Sequence, residues 1–85
     1  MQKLRFHKKF AEKFKKINEK DIDRIYKRLL LMKDFPFVYL DVKKLRGYKD
    51  TYRLRVGNYR IKFVLMGDEL VFYDIDLRGK VYKKK

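Results

Sequence analysis

The chain has 85 residues, a formal net charge of +14 and a sequence pI near 10.1. This length predicts one domain, residues 1–85, with a thin core. The absence of cysteine excludes disulfides and thiolate metal sites, and the single histidine, His7, excludes a multi-histidine site. No apolar run approaches the roughly 18 residues of a membrane span, and the lysine-rich start lacks a signal-peptide hydrophobic region. We therefore expect a cytoplasmic protein without a metal, and its charge predicts a polyanionic or acidic partner.

Two helices are predicted after a first strand. Residues 2–6, QKLRF, alternate in polarity, which indicates a strand. Phe10, Phe14 and Ile17 then recur at helical spacing and predict an amphipathic helix of about ten residues. Asn18 is placed to cap a second helix that ends at Pro36. Because few residues join the helices, we expect an antiparallel helical hairpin. The second helix is predicted to bury a stripe of apolar residues: Ile22, Ile25, Tyr26, Leu29 and Leu30.

A long connection, residues 34–50, leads to the clearest strand signal in the chain. The connection lacks periodicity, which leaves open a functional loop, a short strand or a turn. Residues 52–63, YRLRVGNYRIKF, then alternate around a Gly-Asn pair and predict a tight β-hairpin. In that hairpin Arg55 lies opposite Arg60 and Arg53 lies opposite Lys62, all on the face away from the apolar residues. Directly opposed like charges destabilise a strand pair, so we expect this face to bind an anion.

Residues 70–77 alternate again and predict a third antiparallel strand. A three-residue loop, residues 67–69, would place Asp74 opposite Lys62 and Asp76 opposite Arg60. The predicted fold class is therefore α+β. It consists of an N-terminal strand, an antiparallel two-helix hairpin and a three-stranded antiparallel meander, with the helices on one face of the sheet.

Two segments, KKLRGYKDTYRLRVGNYRIKF and DIDLRGKVY, resemble the RelE/ParE superfamily of bacterial and archaeal toxins. The resemblance covers nearly the whole chain and is strongest to the RelE type. It implies the toxin of a type II toxin–antitoxin system, acting as a ribosome-dependent endoribonuclease that cleaves mRNA in the A site. The implied reaction is attack of a ribose 2′-hydroxyl on the adjacent phosphate, with neither a metal nor another cofactor.

The resemblance also implies which residues act and which partners bind. The catalytic positions of the RelE pattern fall at Arg53, Arg55, Arg60, Arg78 and Tyr82. Further RNA contacts are expected from neighbouring basic residues: Lys44, Arg46, Lys49, Lys62 and Lys80. The implied partners are the ribosome, its mRNA and a cognate acidic, RelB-like antitoxin. A heterotetramer of toxin and antitoxin is one of the assemblies that this partnership allows.

One departure from the RelE pattern leaves the general base unassigned. RelE-type toxins often carry Lys at the positions of Arg53 and Arg55, and arginine keeps its proton at any ordinary pH. The general base could instead be a lysine of this chain or a group of the ribosome, and the lysines in question are Lys44, Lys49 and Lys62. The third alternative is that alignment of the attacking hydroxyl and the phosphate suffices without a base. Two other functions also remain open: a ParE-like toxin that inhibits DNA gyrase without nuclease activity, and an inactive homologue that binds RNA or the ribosome.

Overall fold

The computed structural model describes residues 1–77, which form two helices, a 3₁₀ turn and five strands. The elements in chain order are β1 (Lys3–Phe6), α1 (Lys8–Phe14), α2 (Glu19–Leu31), the 3₁₀ turn (Met32–Asp34), β2 (Asp41–Lys44), β3 (Thr51–Val56), β4 (Tyr59–Met66) and β5 (Glu69–Leu77).

The strands form one sheet in the order β1-β5-β4-β3-β2. β1 runs parallel to β5, and the other neighbours are antiparallel. The core lies between the helices and one face of the sheet. Its fully buried members are Phe10, Ile25, Leu29, Met32, Leu54, Ile61, Phe63, Leu70 and Phe72. The predicted α+β fold class is confirmed. The meander gains a fourth strand, β2, because Val42 packs against the core while its neighbours on the strand face outward.

The helices begin where the sequence predicts, but they end earlier. The side chain of Asn18 accepts a hydrogen bond from the backbone N–H of Asp21 at 2.9 Å, which confirms the predicted cap. His7 caps α1 in the same way, accepting from the N–H of Lys9 at 3.0 Å. The prediction that the second helix ends at Pro36 is wrong. The α-helix ends at Leu31, because the chain there tightens into the 3₁₀ turn, which buries Met32. No helix within residues 1–77 has the length and apolar character needed to cross a membrane.

The predicted apolar stripe of α2 is only partly buried. Ile25 and Leu29 lie in the core, whereas Tyr26 and Leu30 are exposed. The short α1 leaves these outer positions uncovered, since it spans 7 residues and contacts mainly β5.

The pairing of β4 with β5 reaches the predicted register by an unpredicted route. Met66 pairs with Glu69, so the turn contains two residues rather than the predicted three. A β-bulge then shifts the register between Lys62 and Phe63. Beyond the bulge Lys62 pairs with Asp74, as the three-residue loop would have required. The predicted loop length is therefore wrong, and the predicted pairs are confirmed.

Candidate nucleic-acid interface

The β3-β4 hairpin brings its cations together on one face of the sheet. Arg55 pairs with Arg60, and Arg53 pairs with Lys62, as predicted. The neighbouring pair, Leu54 and Ile61, is fully buried on the opposite face. Since residues alternate along each strand, the four basic side chains project from the side of the sheet that faces away from the helices.

Two residues of β2 extend this face. Asp41 pairs with Arg55, and Lys43 pairs with Arg53. The sheet therefore carries two rows of charged residues that cross its strands. One row is Asp41, Arg55, Arg60 and Asp76, and the other is Lys43, Arg53, Lys62 and Asp74. We call the five basic members, Lys43, Arg53, Arg55, Arg60 and Lys62, the cationic face.

Asp41 is the acidic neighbour of two arginines on the cationic face. Its Oδ1 accepts a hydrogen bond from Arg53 Nη1 at 3.1 Å, and its Oδ2 lies 3.6 Å from Arg55 Nη1. Arg53 is only 7% exposed, so its charge is nearly removed from water and needs this counter-ion. The sequence prediction missed Asp41 because one alternating stretch, DVKK, is too short to stand out from its surroundings.

The acidic residues at the β5 end of the two rows, Asp74 and Asp76, form ion pairs with helix α1. Lys13 Nζ, on α1, lies 2.8 Å from Asp74 Oδ1 and 2.9 Å from Asp76 Oδ1. The hydrogen bonds that Lys13 donates to the two carboxylates raise its pKa to about 12. Burial pushes the pKa of Asp74 upward, but the hydrogen bond from Lys13 and the nearby positive charge outweigh it, so the net shift is downward.

Arg60 is the most accessible arginine of the cationic face. Its side chain is exposed, and within residues 1–77 it makes no ion pair, because Lys13 engages the carboxylate of Asp76 that lies across from it. Arg55 is intermediate: its side chain is 36% exposed, and its buried Nε finds no hydrogen-bond partner in the part of the chain described. The three arginines of the face therefore differ: among residues 1–77 Arg60 makes no ion pair, Arg55 is partly held and Arg53 is buried.

The remaining predicted site residues fall into three groups. Lys44 pairs with Tyr52, which places it on the opposite side of the sheet from the cationic face. Arg46 and Lys49 are exposed in the turn that joins β2 to β3. Arg78, Lys80 and Tyr82 lie outside the described residues. Over residues 1–77, no group of histidine, cysteine and acidic side chains is arranged to hold a metal ion.

Comparison with known proteins decides the family. No family model matches the chain. A stretch of 43 residues is 46% identical to Toxin RelE3 from Methanocaldococcus jannaschii, and the match spans 51% of this chain and about half, 49%, of the length of that curated relative. A chain in the crystal structure of a RelB-RelE antitoxin-toxin complex from Methanococcus jannaschii is 32% identical, with a TM-score of 0.70 over 92% of this chain and 94% of that one. The chain belongs to the RelE family of toxins.

The RelE fold extends to more distant structures. The isolated E. coli RelE toxin superposes with a TM-score of 0.79 over 96% of this chain and 89% of that one, at 16% identity. At that identity the likeness shows the fold alone. The resemblance predicted from the sequence motifs is therefore confirmed for both family and fold.

Proposed function

We propose that this RelE-type toxin is a ribosome-dependent endoribonuclease that cleaves mRNA in the A site. The observation that carries the proposal is the cationic face, on which Arg60 is exposed while Asp74 and Asp76, the two acids of the neighbouring strand β5, are bound by Lys13. Like charges stacked across a strand pair weaken folding, and an RNA phosphate relieves that repulsion.

The proposed reaction is attack of a ribose 2′-hydroxyl on the adjacent phosphate. The 2′-hydroxyl loses its proton as its oxygen bonds to phosphorus, the bond to the 5′-oxygen breaks, and that oxygen takes up a proton. The products are a 2′,3′-cyclic phosphate and a free 5′-hydroxyl. The phosphate gains negative charge on the way to the transition state. Arg60 and Arg55 would stabilise that charge, because guanidinium groups bind phosphate oxygens in a fixed, bidentate geometry.

The other residues of the family pattern take supporting roles in this proposal. Arg53, nearly buried on Asp41, positions the face rather than contacting the phosphate. Lys62 is the general-base candidate that shares the cationic face, whereas Lys44 does not. Arg78 would neutralise the departing 5′-oxygen and Tyr82 would stack on a base, as the family pattern implies for these positions.

We further propose that a RelB-like acidic antitoxin neutralises the toxin. Two observations support this partner: the formal net charge of +14, and the similarity to toxin chains crystallised as RelB-RelE complexes. An acidic antitoxin that covers the cationic face would compete with RNA for the same charges.

The test is cleavage of mRNA on programmed ribosomes by the purified toxin, with end-group analysis of the products. We expect a cut within the A-site codon, a 2′,3′-cyclic phosphate upstream and a 5′-hydroxyl downstream. Intact message beside an active E. coli RelE control would contradict the proposal. A parallel supercoiling assay separates the ParE-like alternative, which predicts inhibited gyrase and intact message. Salt-sensitive RNA binding without either effect would indicate an inactive homologue.

A further inference from the structure

Asp41 has a position that the proposed chemistry does not explain. It places a negative charge beside two arginines of a surface that we propose binds a polyanion. Its side chain is 52% exposed, so the charge is open to the solvent side of the face. Electrostatics alone predicts that such a carboxylate repels RNA and weakens binding. A residue with only that effect would work against the function of the surface.

The contacts of Asp41 indicate a positive role. One carboxylate reaches both arginines, accepting a hydrogen bond from Arg53 at 3.1 Å and facing Arg55 Nη1 at 3.6 Å. Arg53 is anchored by burial, so the Arg53–Asp41 pair is a fixed point on the sheet. Arg55 has no other polar restraint within residues 1–77: its buried Nε makes no hydrogen bond, and no second carboxylate lies within ion-pair distance. Among the described residues, Asp41 is therefore the one charged partner that can orient the Arg55 guanidinium.

We propose that Asp41 is a positioning residue that holds the Arg55 guanidinium in the orientation that stabilises the transition state. The inference rests on the proposed function and extends it to a residue outside the family's basic positions. It states that Asp41 improves the chemical step while it weakens the attraction of RNA to the surface. A fixed donor is worth more to a developing charge than a mobile one, since no reorganisation is needed during the reaction.

The deciding variant is Asp41→Asn, which removes the charge but keeps an oxygen that can accept from Arg53. We expect the single-turnover cleavage rate at saturating toxin to fall by about ten- to a hundredfold. The toxin concentration that gives half of the maximal rate should stay the same or decrease, because one negative charge has left the face. Asp41→Glu, which keeps the carboxylate, should retain most of the wild-type rate.

The matched control is Asp23→Asn, which makes the same change of charge on the exposed surface of α2. Within residues 1–77 the one ion pair of Asp23 is with Lys27, at 3.5 Å, and Asp23 lies on α2, on the opposite side of the sheet from the cationic face. We expect wild-type cleavage from it. In an Arg55→Gln background, Asp41→Asn should cause no further loss, since both changes remove the same positioned group.

A second measurement follows the guanidinium directly and does not require cleavage. The order of the Arg55 Nε–Hε group, from ¹⁵N relaxation on the free toxin, should decrease in Asp41→Asn and stay at the wild-type value in Asp41→Glu and Asp23→Asn. If Asp41→Asn unfolds, Arg53→Lys replaces it in this measurement. This substitution keeps the positive charge at position 53 but shifts the side chain that anchors Asp41, so we expect the same loss of order at the Arg55 Nε–Hε group.

The outcomes separate the two proposals. A wild-type toxin that leaves mRNA intact overturns both the proposed function and this inference. A wild-type toxin that cuts, together with an Asp41→Asn variant that cuts equally fast or keeps Arg55 equally ordered, overturns the inference alone. A lower rate that is fully restored at higher toxin concentration also overturns it, because the loss would then lie in binding.

Discussion

At the scale of single residues, burial divides the arginines of the cationic face into different roles. Arg60 is exposed without an ion pair among the described residues, whereas Arg53 is 7% exposed and bonded to Asp41. The resemblance to RelE implies a catalytic role for both, and the sequence pattern gives no means to distinguish them. Their different surroundings predict different responses to the same truncation.

We expect Arg53→Ala to lower the free energy of unfolding by about 1–3 kcal/mol, because it removes the partner of Asp41 and a buried side chain. Arg60→Ala should leave stability unchanged or slightly higher, since it removes a cation opposite Arg55. Urea unfolding of both variants measures the difference. Equal destabilisation would show that Arg60 is held as firmly as Arg53.

The two lysines give a second prediction at this scale. Lys62 lies on the cationic face and Lys44 on the other side of the sheet. We expect Lys62→Met to reduce single-turnover cleavage by at least about a hundredfold, the lower end of what a general acid or base or a positioned donor contributes. Lys44→Met should cut at nearly the wild-type rate. A larger loss of cleavage in Lys44→Met than in Lys62→Met would instead indicate that the catalytic surface lies at the edge of the sheet near β2.

At the scale of elements, the link between α1 and β5 controls how much of the cationic face is free. Lys13 reaches Asp74 and Asp76 at 2.8 and 2.9 Å, respectively. It therefore fixes the short helix to the sheet and holds two carboxylates that would otherwise pair with Lys62 and Arg60. One side chain thus contributes both to folding and to the charge of the surface.

We expect Lys13→Gln to lower the midpoint of thermal unfolding at about pH 7. The pKa of Asp74 is depressed, so its share of this stabilisation is present above the ordinary value of 3.8 and is lost as the pH falls through the depressed pKa. The difference between Lys13→Gln and the wild type should therefore shrink steadily below about pH 4. At the alkaline end it should be fully present below the ordinary lysine pKa of 10.5 and should be lost as the pH rises through the raised Lys13 pKa of about 12. A difference that does not change with pH would contradict the ion-pair account.

The same scale shows what could be predicted from sequence. The β3-β4 hairpin and its register follow from local alternation around Gly57 and Asn58, and both are confirmed. Strand β2 is short and carries one apolar residue facing the core, so its pairing with β3, and hence Asp41, depends on tertiary contacts that no local pattern encodes. The bulge that sets the β4-β5 register is hidden for the same reason.

At the scale of the whole molecule, the net charge of +14 sets the range and the salt dependence of binding. Most of this charge is spread over the surface, but among residues 1–77 only the cationic face pairs cations across neighbouring strands. Binding to RNA should therefore depend on a small, defined set of phosphates despite the large total charge. Salt titration can distinguish this from diffuse attraction.

We expect the affinity for a short 2′-O-methyl RNA, which cannot be cleaved by the proposed reaction, to fall with log salt at a slope of about −2 to −3, equivalent to three or four neutralised phosphates. Arg60→Ala should reduce the slope by about 0.7, and Arg28→Ala, an exposed position on α2, should leave it unchanged. Equal effects of the two substitutions would indicate that the whole surface attracts RNA without a preferred face.

The most direct measurement is single-turnover cleavage of A-site mRNA by the wild type, Arg60→Ala and the charge-matched Arg28→Ala. The account predicts cleavage by the wild type and by Arg28→Ala, and a loss of at least about a hundredfold in Arg60→Ala with unchanged thermal stability. Wild-type cleavage by Arg60→Ala would contradict the assignment of the cationic face as the surface that acts on RNA.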